Sequence, residues 1–217
     1  MNIYKQTANK KDKLLLIFSG WSAPPLLFKG IEADEDTDIW ICYNYQALSF
    51  TEDLSGYQEI RIIAWSLGVW AASTVLDKQQ ASFPITGAIA INGTPYPIHD
   101  TYGIPEAIFR GTLENITPAG MYRFNRRMCG NKDILQQYET IPSRPIEEIK
   151  EELHAIYQAY KPVETNLWTC SILSVNDLIF PIQNLRNYWY GRCPVTEIEA
   201  PHYPFYRWKQ WNELWKQ

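Results

Sequence analysis

Three residue types suited to nucleophilic ester chemistry stand in order along the chain: Ser66, Asp177 and His202. Ser66 lies in Glu59-Ile-Arg-Ile-Ile-Ala-Trp-Ser-Leu-Gly-Val-Trp-Ala-Ala-Ser73, where an apolar β-branched run leads into the serine and a small-residue helical stretch leaves it. That is the strand–turn–helix layout of a nucleophile elbow. A tight turn lifts the hydroxyl off the sheet edge, and the helix N-terminus beyond it offers unpaired N–H groups to a developing oxyanion. Ala64 and Gly68 flank the serine two residues either side, giving A-x-S-x-G in place of G-x-S-x-G. Ala keeps the small size but gives up some backbone freedom. The S-x-G triplet alone arises by chance roughly once in a chain of this length, and a plain helix N-cap serine is the other reading.

A serine nucleophile needs a base and a group to orient it. The chain has three histidines, His99, His154 and His202. His99 sits in a loop after Pro97-Ile98, and His154 inside an amphipathic helical stretch. His202, in Glu199-Ala-Pro-His-Tyr-Pro-Phe205, follows a short apolar strand, where a parallel sheet presents residues over its C-terminal edge. Asp177 ends the apolar run Ser171-Ile-Leu-Ser-Val-Asn-Asp177; by itself it reads equally as a turn or cap residue. The order Ser66, Asp177, His202, each just past a strand end, is the α/β-hydrolase order. A second strand end, Leu14-Leu-Leu-Ile-Phe-Ser-Gly-Trp21, places Gly20 at a sharp turn. The N–H of Trp21 is expected to join that of Leu67 as a two-donor oxyanion hole. A simple strand-ending turn with a core Trp fits that segment too.

The elements that must hold these residues are visible as short apolar runs. Lys13–Phe18, Asp38–Tyr43, Glu59–Trp65, Ile85–Ile91, Trp168–Val175 and Val195–Ile198 predict buried strands, with helices over Ser66–Leu76 and Pro181–Tyr190. Continuous rather than alternating apolar character predicts an α/β fold, a mostly parallel central sheet with helices on both faces. The chain reads as a single domain over 1–217, with a helical cap inserted over 95–165. That insert carries Pro105–Leu113, a basic segment Met121–Cys129, and Pro145–Tyr160, although two ordinary crossover helices with long loops are the alternative. In the last stretch Ile146, Ile149, Leu153, Ile156 and Tyr160 mark one helical face, which assigns Glu147, Glu148, Glu151 and Glu152 to other faces. Apolar residues at 205, 208, 211, 214 and 215 predict a final helix, Phe205–Trp215.

Composition limits the function classes. The 217 residues include 46% hydrophobic and 14% aromatic, enough for a large core. Twenty basic against 24 acidic residues leave a net charge of −4, so no overall positive field exists to hold nucleic acid. The Leu14–Phe18 run is too short for an export h-region or a membrane span, which predicts a cytoplasmic protein with no membrane partner. Cys42, Cys129, Cys170 and Cys193 are widely spaced, as expected of free thiols rather than a metal site. The acidic stretch Glu32–Asp38 lacks the Gly and terminal Glu of a calcium loop. No cofactor or metal is expected.

Several segments together resemble the BioG family of pimeloyl-[acyl-carrier protein] methyl ester esterases. They are Phe18-Ser-Gly-Trp21, Asp38-Ile-Trp-Ile-Cys-Tyr-Asn-Tyr-Gln46, Ala64-Trp-Ser-Leu-Gly-Val-Trp70, Ala90-Ile-Asn-Gly-Thr94, Gly103-Ile-Pro105, Phe109-Arg-Gly-Thr-Leu-Glu-Asn-Ile-Thr117, Arg126-Arg-Met-Cys-Gly130 and the His202 segment. The resemblance implies an α/β-hydrolase that cleaves the methyl ester of pimeloyl-acyl carrier protein in biotin synthesis. It puts the nucleophile on Ser66, the acid on Asp177, the base on His202 and the oxyanion donors on Trp21 and Leu67. The carrier protein is acidic, so on charge alone Arg123, Arg126, Arg127 and Lys132 are the candidate docking residues; a solvated basic helix face is the alternative. Triad chemistry equally serves an acyl-carrier thioesterase or a small-ester carboxylesterase. A non-catalytic binding protein on the same scaffold is a further alternative.

Overall fold

A computed structural model of the protein describes residues 1–8, 12–77 and 82–216. Seven strands form one sheet: β1 (Asn2–Gln6), β2 (Lys13–Phe18), β3 (Thr37–Tyr43), β4 (Glu59–Trp65), β5 (Ile85–Ile91), β6 (Cys170–Ser174) and β7 (Val195–Ile198). Their order is β1-β3-β2-β4-β5-β6-β7, and every neighbouring pair is parallel except β1 with β3. The expected strands stand within a residue or two of their predicted limits. Leu14 to Phe18 and Ile62 to Trp65 are buried throughout, which explains their unbroken apolar character: helices cover both faces of such a sheet.

Two elements differ from expectation. β1 carries no apolar run and is half exposed, so pattern reading passes over it. It caps the sheet edge with Lys5, which pairs with Glu52 at 2.6 Å and lies 3.9 Å over the Trp40 ring. The final segment is not an α-helix. It forms 3₁₀ turns over Phe205–Arg207 and Trp211–Lys216, separated where Trp211 N–H donates to Glu32 O and Glu32 N–H to Lys209 O. Apolar residues spaced by three (205, 208, 211, 214) suit 3.0 residues per turn better than 3.6.

α1 (Leu67–Leu76) follows β4 directly, and α6 (Ile182–Trp189) lies between β6 and β7. Between β5 and β6 the described chain forms α2 (Glu106–Leu113), α3 (Pro118–Cys129), α4 (Lys132–Glu139) and α5 (Ile146–Ala159). Local chemistry bounds them. Thr117 accepts the Gly120 N–H at 3.0 Å ahead of Pro118, and Gly130 ends α3 with φ +73°. Asn131 then accepts the Ile134 N–H at 2.9 Å and starts α4, a helix the sequence reading did not separate. Glu152 is a further correction: it is fully buried, not on an outer face of α5. Position 152 lies one turn from both Ile149 and Ile156, inside the apolar stripe, and Arg144 meets its charge there. All four cysteines are free. No helix among the described residues is long and apolar enough to cross a membrane.

Candidate active site

The C-terminal ends of the parallel strands lie at one rim, and Ser66, Asp177 and His202 follow β4, β6 and β7 there. β4 ends in Ser66, whose backbone takes φ 58°, ψ −129°, a strained turn for a residue with a side chain. The turn is possible because its neighbours are small. A Cβ on Gly68 would meet Phe18 O at 2.3 Å, and one on Gly93 would meet Ser66 O at 2.2 Å. The helix therefore starts against the backbone of β2, which brings the serine beside the loop that follows β2.

His202 joins the other two candidates. Its Nε2 lies 2.9 Å from Ser66 Oγ and its Nδ1 lies 2.7 Å from Asp177 Oδ2. An ionised carboxylate only accepts, so Nδ1 carries the proton and Nε2 is left to accept from the Ser66 hydroxyl. The other Asp177 oxygen accepts the N–H groups of Ile179 and Phe180 at 2.7 and 2.9 Å, so one carboxylate caps its own turn and orients the imidazole. Ser66, Asp177 and His202 are all buried. The Phe180 ring stacks parallel to the imidazole at 6.0 Å, and Trp65 leans on it at 5.3 Å.

Asn92, a residue to which sequence reasoning gave no role at the site, fixes the backbone of His202. At the end of β5 it donates to His202 O at 2.9 Å and to Ser174 Oγ at 2.8 Å, while accepting the Ser174 N–H at 2.7 Å. Trp65 Nε1–H donates to the same His202 carbonyl at 2.8 Å. The available signal was an Asn at a strand end, here at φ 48°. The remaining histidines lie elsewhere. His99 Nδ1 accepts the N–H groups of Thr101 and Tyr102, and His154 is exposed on α5.

Trp21 and Leu67 line the same narrow pocket as Ser66 and His202, walled by Trp65, Ile104, Phe109, Phe124 and Leu178. A Cβ on Gly20 would meet Trp65 and Ser66 Cβ at 2.9 and 3.2 Å, so the strap over 19–22 passes close to the serine. The free volume is about 30 Å³. Beside it, α2 and α3 form a groove of about 630 Å³ lined by Arg123, Arg126 and Arg127. Arg127 borders both pocket and groove, whereas Lys132, exposed at the start of α4, lies outside both linings. Acids lie near this segment in sequence, yet none of the four basic side chains has an ion-pair partner among the described residues. No cluster of metal-ligating side chains occurs among the described residues.

This arrangement has relatives. The crystal structure of BioG from Haemophilus influenzae is 40% identical, superposes with a TM-score of 0.93, and covers 99% of this chain and 100% of that one. A malonyl-[acyl-carrier protein] O-methyltransferase of Bacteroides fragilis is 42% identical over 198 residues, 89% of this chain but 40% of that protein. An esterase from Rhodococcus sp. ECU1013, at 12% identity and TM-score 0.62 over 98% of this chain and 91% of its own, shares the α/β-hydrolase fold. The family model for pimeloyl-ACP methyl esterase BioG matches residues 2–214, and the chain belongs to that family.

Proposed function

We propose that this protein hydrolyses the methyl ester of pimeloyl-acyl carrier protein to pimeloyl-acyl carrier protein and methanol, through a Ser66–His202–Asp177 triad. The observation that carries the reading is the single imidazole bridging Ser66 and Asp177 at hydrogen-bond distance beneath an apolar pocket. His202 Nε2 takes the hydroxyl proton as Ser66 Oγ attacks the ester carbonyl. Asp177 holds the Nδ1 tautomer and stabilises the imidazolium. The N–H groups of Trp21 and Leu67 receive the oxyanion, a contribution of about 3–4 kcal/mol per donor. His202 returns the proton to the leaving methoxide. Water then repeats the cycle on the pimeloyl-enzyme and releases the carboxylate.

The carrier protein is the proposed partner, and the groove between α2 and α3 supports it. Three guanidinium groups there, without an ion-pair partner among the described residues, suit an acidic surface, and Arg127 borders the pocket. The pocket over Ser66 is narrow, and Ile108, Phe109 and Thr112 of α2 with Phe124 of α3 wall it, so these two helices are the elements that move to admit the acyl chain. The methyltransferase that shares this sequence region acts, by its name, on an acyl-carrier substrate, and a methyl ester on such a carrier is what this site removes. The reaction belongs in the cytoplasm, where the carrier protein works.

A product assay tests the reading. Methanol with pimeloyl-carrier as the acyl product supports ester cleavage; free acid with intact methyl ester means a thioesterase instead. A fluorophosphonate should label Ser66 and leave Ser66→Ala unlabelled. Charge reversal at Arg123 and Arg126, which line the groove but not the pocket, should raise KM for the carrier-linked ester, more so at low salt, and spare a small soluble ester. Equal loss on both substrates argues against docking there.

A further inference from the structure

A buried ion pair outside the triad grips the strap that carries the proposed oxyanion donor. Glu152 on α5 is fully buried and accepts Arg144 Nη1–H at 2.6 Å on one oxygen. Its other oxygen accepts the Tyr45 N–H at 2.9 Å. The Ser22 N–H also favours its charged form, against burial, which pushes this carboxyl up. Tyr45 in turn reaches the strap from beneath, its hydroxyl 2.8 Å from Ser19 O and 3.1 Å from Cys42 O. One turn earlier on the same helix, Ile149 O accepts Trp21 Nε1–H at 2.8 Å. Ser22 itself and Asn44, just before the gripped Tyr45 amide, both take left-handed φ values, 66° and 56°. A residue with a side chain holds such a conformation only where its surroundings fix it.

We infer that Glu152, paired with Arg144, is a positioning residue that aims the Trp21 N–H at the oxyanion. It touches no substrate. It ties α5 to the two loops following β2 and β3, so the helical insert completes the oxyanion hole from outside the sheet. The inference rests on the esterase reading above, and a parent protein that fluorophosphonate does not label at Ser66 would show that reading, rather than this one, to be at fault.

The test compares Glu152→Gln with the double variant Arg144→Met, Glu152→Leu. The double variant replaces the ion pair by apolar side chains of similar size, a change that buried pairs commonly tolerate in folding. Each is measured for Tm, for kcat and KM on dimethyl pimelate, and for affinity toward a trifluoromethyl ketone whose Ser66 adduct carries an oxyanion. The expected result is a fall in kcat of tenfold or more with KM within threefold. Ketone affinity should weaken by the same factor as kcat falls, in protein that melts cooperatively. A smaller fall in kcat in folded protein, or a loss of kcat with ketone affinity unchanged, overturns the inference. If Glu152→Gln does not fold, the double variant decides by the same criteria.

Discussion

Asp177 and Glu152 are both carboxylates sealed from solvent, and both hold something else in place. Asp177 works at the sheet rim and most of its contacts are local: it caps the N–H groups two and three residues ahead and reaches across to one imidazole. Glu152 works from a helix outside the sheet, and its Tyr45 partner is 107 residues away. The difference teaches that one site has two kinds of support. The proposed triad is built by strand ends that the sheet brings into register. The proposed oxyanion side is held from the insert, whose α5 contacts Trp21 and Tyr45 in the loops after β2 and β3. Local support forms with the turn, whereas distant support depends on the whole insert being seated.

The largest expected effect lies on the local side. Asp177→Asn keeps an oxygen for the Ile179 and Phe180 N–H groups but imposes the wrong imidazole tautomer, so kcat should fall about 10⁴-fold with little change in Tm. An equal fall from Glu152→Gln would erase the distinction, since Glu152 acts on geometry alone. Asn92→Ala comes next. It removes one of two donors to His202 O and leaves the Ser174 N–H and Oγ without their Asn92 partner. We expect about 1–3 kcal/mol of lost stability in chemical denaturation, with a fall in kcat well short of the ~10²-fold cost of a 1 Å misplacement. A kcat near that of Asp177→Asn would mean that the His202 backbone, not its tautomer, limits the triad.

The smallest effect comes from a third carboxylate, Glu197 on β7, which neighbours neither site. Arg186 grips it through two N–H donors at 2.8 and 2.7 Å, and the Tyr190 hydroxyl donates at 2.5 Å. These contacts hold its carboxyl down to about 2, below the ordinary value of 4.5. A depressed carboxyl stabilises the fold above its unfolded value and loses that contribution as pH falls through the folded one. Glu197→Gln should therefore lower Tm slightly at pH 7, with the difference from the parent shrinking from about pH 4.5 and gone near pH 2. Activity at neutral pH should stay the same. A Tm gap that persists at pH 2 would assign the effect to packing rather than charge.

Much of the sheet was legible because its strands are buried on both faces, which leaves runs such as Leu14–Phe18 and Glu59–Trp65 that local pattern alone identifies. β1 escaped because an edge strand need not be apolar. The 3₁₀ turns at 205–207 and 211–216 are not distinguished in the sequence because apolar residues three apart also fit one face of an α-helix. At the site, Ser66, Asp177 and His202 stood out through their order past strand ends. Asn92, Arg144 and Glu152 did not, because nothing near them in the chain names their partners.

The sequence by itself determined the strand–turn–helix around position 66, the order of the three polar groups and the small residues that the turn demands, since all of these follow from chain-local sterics and patterning. Only the tertiary structure decided that Glu152 turns inward. A helical face is chosen by what packs against it, and Tyr45 and the strap at 19–22 reach that face only after the sheet and the insert have met.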